Sequence, residues 1–369
     1  MRYQRRVAAV GLIAASALVL GACGSDENAG GGGVSAVEGV QCGGKPDLRS
    51  SGSSAQNNAM TRFVATYQQT CQGQTLNYTP SGSGAGRNEF LGGQTDFAGS
   101  DSALKEGDET TRAQQRCASP AWNLPLVFGP VAVAYNVAGV TDLVLDGPTT
   151  ARIFNGQITT WNDPAIAALN QGKALPAAPI VVNFRSDESG TTENFQKYLV
   201  AASNGAYGKE AAQTFNGGVG AGARGSQGVA DATRNTPNSI TYVEASFAQR
   251  GGIAMAQIIN SGGGAPVALS PESVGAAINN VQVSGQGNDL KLNLDSLYQA
   301  SAPGAYPIAL ATYEIVCSNY ADDQTASAVR AFLSTALSPN AQQALPEAGY
   351  VPLPDQFKQR LTTAVNAIQ

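Results

Sequence analysis

Apolar residues recur along this chain with more than one period. Met60, Phe63, Val64 and Tyr67 fall at i, i+3, i+4 and i+7, one face of an amphipathic helix. Val329, Phe332, Leu333 and Leu337 mark another helix near the C-terminal end, and 194–202 reads as a third. Short β-like runs lie at 47–50, 75–79 and 180–184. Two longer, mostly apolar runs, 124–135 and 306–316, have the character of strands passing through a protein interior. Strands alternating with helices predict an α/β fold with largely parallel strands. Placed side by side, the two long runs are natural crossovers between two lobes. That predicts a discontinuous lobe I (42–131 and 306–369) and a continuous lobe II (132–305). The glycine-rich stretch 217–228 is predicted to be a long loop.

The start of the chain follows a different pattern. Arg2, Arg5 and Arg6 precede a short apolar stretch, 7–19, and then Leu20-Gly21-Ala22-Cys23. A positive segment, a short apolar segment and small residues form an export signal. The apolar run is shorter than the ~20 residues a membrane-spanning helix needs. The order resembles the lipobox of bacterial lipoproteins. The resemblance implies that 1–22 is removed and that Cys23 becomes a lipid-modified N-terminus. Residues 24–41, with four consecutive glycines from Gly30 to Gly33, read as a flexible tether. The expectation is an exported body anchored by its N-terminal lipid to the outer face of the cell membrane.

Composition narrows the chemistry. The chain is 43% apolar and 13% charged, as suits a well-cored body. Removing 1–22 takes three arginines away, leaving 19 basic and 27 acidic residues and a net charge near −8. That balance argues against nucleic acid, which calls for a basic face. An acidic protein still binds an anion where local dipoles and hydrogen bonds do the holding. The chain has no histidine, which excludes a Ser-His-Asp triad and histidine-ligated zinc. Cys42, Cys71, Cys117 and Cys317 remain beside Cys23. In an exported chain they read as two disulfides with three possible pairings. Cys42 precedes the first strand and Cys71 follows the helix returning from that strand's far end, which favours Cys42–Cys71 and leaves Cys117–Cys317. No metal or cofactor is expected.

Small polar residues concentrate where predicted strands end. Ser50-Ser51-Gly52-Ser53-Ser54, Ser81-Gly82-Ser83-Gly84-Ala85-Gly86 and Ser186-Asp187-Glu188-Ser189-Gly190-Thr191-Thr192 each lead from a strand into a helix, and Asp96-Phe97-Ala98-Gly99-Ser100-Asp101 ends another strand. First-turn N–H groups point out of a helix, and glycine or serine lets an oxyanion approach them. In α/β sheets such loops gather at the carboxyl ends of the strands. None carries the Gly-Lys-Ser/Thr ending of a P-loop.

These loops, with Asn77-Tyr78, Leu145-Asp146-Gly147-Pro148, Ile153-Phe154-Asn155-Gly156-Gln157-Ile158, Trp161-Asn162-Asp163-Pro164 and Arg185, closely resemble PstS, the phosphate-binding receptors of ABC-type uptake systems, over nearly the whole body. The resemblance implies a two-lobed periplasmic-binding-protein fold, type II-like, each lobe a mixed, mainly parallel sheet flanked by helices, with two crossover hinge strands. It implies a monomeric, non-enzymatic receptor that binds inorganic phosphate and serves ABC permease membrane subunits with a cytoplasmic ATPase. Carried over, Ser54 and Ser83 donate hydroxyls and Ala55 a backbone N–H. Arg185, held by Asp187, supplies charge. Ser189, Gly190 and Thr191 donate from a helix N-terminus, and Asp101 accepts. Ala55 departs from the aromatic residue of many relatives, and Glu188 from a common glycine; Glu188 is expected to point to solvent. The competing expectations are a receptor for another oxyanion such as sulfate or molybdate, an exported phosphatase-like enzyme, and an adhesin with a vestigial pocket.

Overall fold

A computed structural model describes residues 37–369; the expected leader, Cys23 and most of the tether lie outside the described residues. Numbered along the chain, the strands of the main sheet are β1 (Asp47–Gly52), β2 (Thr75–Thr79), β3 (Phe97–Ser100), β4 (Ala121–Asn136), β5 (Val181–Arg185), β6 (Ala221–Ala223), β7 (Ser239–Glu244), β8 (Ala254–Met255) and β9 (Ala309–Cys317). Their order is β2-β1-β3-β9-β4-β7-β5-β6, with β8 also pairing β4. β1 is parallel to β2 and β3, while β9 runs antiparallel between β3 and β4. Beyond β4, β7 is antiparallel to it, and β5 is parallel to both β7 and β6.

β4 joins the two halves of this sheet. Residues from Ala121 to Pro130 pair with β9, and those from Val131 to Asn136 pair with β7. All nine residues of β9 are buried, as are thirteen of sixteen in β4, which is why both read as mostly apolar runs. The helices that border the site are α1 (Asn57–Thr70), α2 (Ser83–Leu91), α3 (Gly190–Ala202) and α4 (Gly225–Asn235), and α5 (Asp323–Ala336) packs behind α1. α1 buries Met60, Phe63 and Tyr67 as its periodicity requires. Tyr67 meets Phe332 of α5 edge-on at 5.5 Å, and Phe332 stacks on Phe97 of β3 at 5.6 Å. Such pairs add ~0.5–1.5 kcal/mol beyond the area they bury.

Cys42 is bonded to Cys71 and Cys117 to Cys317. The second bridge joins the segment entering β4 to the last residue of β9. The glycine-rich stretch 217–228 is not a long loop: it contains β6 and the first turn of α4. β6 has no bulky side chain and is held by parallel pairing to Asn183, Phe184 and Arg185. Gly220, at φ +94°, lets the chain approach β5 so closely that a Cβ would lie 2.2 Å from the Val182 carbonyl oxygen. Among the described residues no helix is long and apolar enough to cross a membrane.

Candidate functional site

The site forms where β1, β3 and β5 end and α1, α2, α3 and α4 begin. α1, α2 and α4 have no side-chain N-cap; in α4 the Gly225 N–H donates instead to Asp187 Oδ1 and the Ser226 N–H to Ser54 Oγ, each at 3.0 Å. α3 is capped by Ser189, whose Oγ accepts from the Thr192 N–H at 3.2 Å. The Gly190 and Thr191 N–H groups of the same turn have no acceptor within the helix.

Asp101 lies at the centre and is buried. Its Oδ1 accepts from Ser53 Oγ at 2.5 Å and Thr312 Oγ1 at 2.8 Å. Its Oδ2 accepts from Ser83 Oγ and Thr191 Oγ1, each at the longer distance of 3.3 Å. Burial pushes the Asp101 carboxyl up from its ordinary range; the Ser53, Thr312 and Ser83 hydroxyls and the Arg185 charge pull the other way without overcoming it. The backbone fixes it too, since Asp101 N–H donates to Ser83 Oγ at 3.1 Å and its carbonyl accepts from Asn194 Nδ2 at 2.8 Å.

Arg185 ends β5 and is 2% exposed. Its Nε donates to Asp187 Oδ1 at 2.7 Å and its Nη2 to Oδ2 at 2.5 Å, a bidentate fork. Burial alone would raise the Asp187 carboxyl; the Arg185 pair and the Gly225 N–H at 3.0 Å outweigh it and hold it below the usual range. Arg185 Nη1 reaches Ser226 Oγ at 3.3 Å, and Ser226 Oγ lies 3.0 Å from Ser54 Oγ. Thus α4, β5 and the loop after β1 meet around one guanidinium.

The residues expected from sequence therefore come together. Ser54, Ser83 and Asp101 stand against Arg185, Ser189, Gly190 and Thr191. Gly190 shows how closely: a Cβ there would lie 2.6 Å from Asp101 Cβ and 2.8 Å from Ser83 Oγ. The Ala55 N–H is engaged within its own loop, donating to Ser53 Oγ at 3.1 Å. Glu188 is exposed, and its backbone carbonyl accepts from the Gly84 N–H at 3.0 Å.

The PBP superfamily domain model matches residues 27–340. Phosphate-binding protein PstS 3 of Mycobacterium tuberculosis is 59% identical over 371 residues, covering all of both chains. The chain belongs to the PstS family of phosphate-binding proteins. A more distant PstS, from Methanocaldococcus jannaschii, is 30% identical over 344 residues, 87% of this chain and 86% of the other. Among solved structures, a high affinity periplasmic phosphate-binding protein (PfluDING) bound with phosphate aligns with TM-score 0.69 and 26% identity, over 86% of this chain and 93% of that one. The chain thus has the two-lobed fold of the periplasmic binding proteins, and the PstS family is one of non-enzymatic solute receptors.

The structure brings three further residues to this cluster that the sequence pattern does not single out: Ser53, Thr312 and Ser226. Ser53 lies inside the Ser-rich loop, where the resemblance points to its neighbour Ser54. Thr312 interrupts an apolar run, which was itself a signal that a buried hydroxyl had a partner. Ser226 was hidden by reading 217–228 as a loop.

Proposed function

We propose that this chain captures inorganic phosphate between its lobes, 42–131 with 306–369 and 132–305, and releases it to an ABC-type permease with a cytoplasmic ATPase. It does no chemistry on its cargo. It works as a monomer, held at the outer face of the cell membrane by a lipid on Cys23. Ser54, Ser83, Arg185, Ser189, Thr191 and the N–H groups of Gly190 and Thr191 hold the anion's oxygens, joined by the Ala55 N–H once it lets go of Ser53 Oγ, while Asp187 holds Arg185.

The observation that carries this reading is the unequal hold on Asp101. Ser53 and Thr312 grip Oδ1 at short distance, whereas Ser83 and Thr191 reach Oδ2 only at 3.3 Å. The two long contacts are weak, so those hydroxyls can turn toward an anion and leave Oδ2 as an acceptor. Phosphate near neutral pH retains a P–OH that donates to Oδ2. Sulfate has none and meets the carboxylate as bare repulsion. Sites built on one such hydrogen bond reject the analogue lacking it by ~10⁴–10⁵. Hydrogen bonds to charged groups contribute ~1.5–3 kcal/mol each, enough in number here to offset the anion's desolvation.

Calorimetric titration of phosphate and sulfate into the body from Gly24 onward, refolded to strip bound ligand, tests this. One-to-one phosphate binding without a sulfate response is expected. Folded protein that binds no phosphate would overturn it. In Asp101→Asn, phosphate affinity falls and the preference over sulfate shrinks by about 100-fold or more; unchanged preference would remove Asp101 from the selecting role.

A further inference from the structure

Glu314 lies in β9, opposite Gly99 of β3 on one side and Leu124 of β4 on the other. It is fully buried, and neither carboxyl oxygen has a hydrogen-bond partner among the described residues. A carboxylate placed so would lack every donor that burial demands.

A group beside it has the matching defect. Gln56 is buried, faces Glu314, and leaves its Oε1 without a donor. Its Nε2 donates to the Tyr78 hydroxyl at 3.0 Å, and that hydroxyl donates to the Ser53 carbonyl at 2.7 Å. Ser53 is also the residue whose Oγ grips Asp101 Oδ1 at 2.5 Å. Room for the pair is made by Gly99, Glu314's partner across the ladder: a Cβ there would lie 2.0 Å from Gln56 Nε2 and 2.6 Å from the Tyr78 oxygen.

Two protonation schemes compete. If Glu314 is ionised, the second Nε2–H of Gln56 can turn toward it only with Oε1 still left without a donor, and flipping the amide is no remedy. The flipped Oε1 then faces the Tyr78 oxygen, whose single proton is already committed to Ser53, so one bond is lost for the one gained. If Glu314 is protonated, its O–H donates to Gln56 Oε1 and every other bond stays in place.

We propose that Glu314 is kept as a neutral carboxylic acid, its proton shared with Gln56 Oε1, and that this neutrality is a positioning device protecting phosphate affinity. It rests on the phosphate reading of the site. An ionised Glu314 would set a second buried negative charge behind Asp101 and its anion, and would pull the Gln56 amide away from the chain of bonds that holds Ser53. The groups facing Glu314 are Gln56 at the start of α1, Tyr78 of β2 and Asp101 after β3, with Arg185 of β5 beyond Asp101; β4 places the uncharged Leu124 opposite it across the ladder. None of the nearest is a cation. Burial pushes the Glu314 carboxyl up to about 8, Gln56 working against that and the Asp101 charge with it. The proton is therefore held at neutral pH and leaves in mildly alkaline solution.

The test pairs the full-length wild type with Glu314→Gln, a neutral isostere of the protonated acid. Phosphate affinity is measured by calorimetry from about pH 6.5 to about pH 9.5. The ratio of wild-type to variant Kd should stay flat below about pH 7 and rise by roughly three- to tenfold above about pH 8, each unit of pKa difference between bound and empty states being tenfold. Phosphate's own titration cancels in the ratio. Independently of phosphate, infrared difference spectra of wild type minus variant should show a protonated-carboxyl band at neutral pH that fades on raising it. Parallel affinity profiles, or no such band, would overturn the proposal. So would a variant that cannot fold, since a neutral side chain of this shape is what the fold is argued to hold. If neither protein bound phosphate at any pH, the receptor reading would fail, while the infrared band would still decide the state of Glu314.

Discussion

A single methyl group at Gly190 measures how tightly the two sides of the site meet. Its Cβ would lie 2.6 Å from Asp101 Cβ and 2.8 Å from Ser83 Oγ. Ser83 can rotate away, but Asp101 is pinned by its own N–H, its carbonyl and two short bonds to Oδ1. Relief must come from α3 moving back, which carries the Gly190 and Thr191 N–H groups off the anion. Gly190→Ala should therefore weaken phosphate binding by at least tenfold, about 1.4 kcal/mol. The helix itself prefers alanine, so the melting temperature of the ligand-free protein should hold or rise. Calorimetry and thermal melts together check this. A variant that binds normally would mean α3 does not press on Asp101 in solution.

At the scale of elements, α3 starts on a cap that the proposed function also makes a ligand, and these two roles of Ser189 are separable. Its Oγ accepts from the Thr192 N–H, and in the proposed ligand role its O–H points to the anion. Ser189→Ala removes both and should cost ~1 kcal/mol of stability, whereas Ser189→Gly caps nearly as well and costs only a few tenths. Phosphate affinity should fall alike in both variants if the hydroxyl is a ligand; denaturant melts beside titrations make the comparison. Affinity that tracks stability would leave Ser189 a cap alone. The elements that pattern made legible were those with enough side chain to leave one: β4 and β9, buried along nearly their whole length, and α1 and α5, each with one apolar face. β6 is Ala-Gly-Ala, bound by backbone pairing and close approach, so it leaves no apolar trace. Ser226 went unseen with it. Thr312 meets Asp101 across 211 residues of chain, a contact that spacing cannot reveal. The glycine- and serine-rich loops were legible because a helix start that must admit an anion leaves few other residues possible.

Across the whole molecule, contacts between the two halves of the sheet fall into two kinds. Those at Asp101 involve groups argued to touch the anion. Others stand apart from it and join the same surfaces. Ser102 Oγ donates to Glu193 at 2.6 Å, Asn58 Nδ2 to Ser246 Oγ at 2.7 Å, and Arg87 Nη2 to Gln213 Oε1 at 2.8 Å. Arg87 is the most telling of these. It is buried on α2, makes an ion pair with Glu109 at 3.0 Å, and donates to Ser100 Oγ at 3.2 Å. Gln213 in turn accepts from the Ser189 N–H through its backbone carbonyl at 3.0 Å. Arg87 therefore links α2, through Gln213, to the residue that starts α3, without reaching the oxygens of Asp101. Closure and selection should then separate. Arg87→Ala removes a cross-lobe bond and leaves the partly buried Glu109 unpaired, so phosphate affinity should fall by about tenfold or more. The preference for phosphate over sulfate should stay, because Asp101 and its four hydroxyls are untouched. Small-angle scattering should show a phosphate-induced compaction in the wild type that requires more phosphate in Arg87→Ala. A variant that lost its preference along with its affinity would show that closing the lobes is itself what positions Asp101, and that the two functions share one set of contacts.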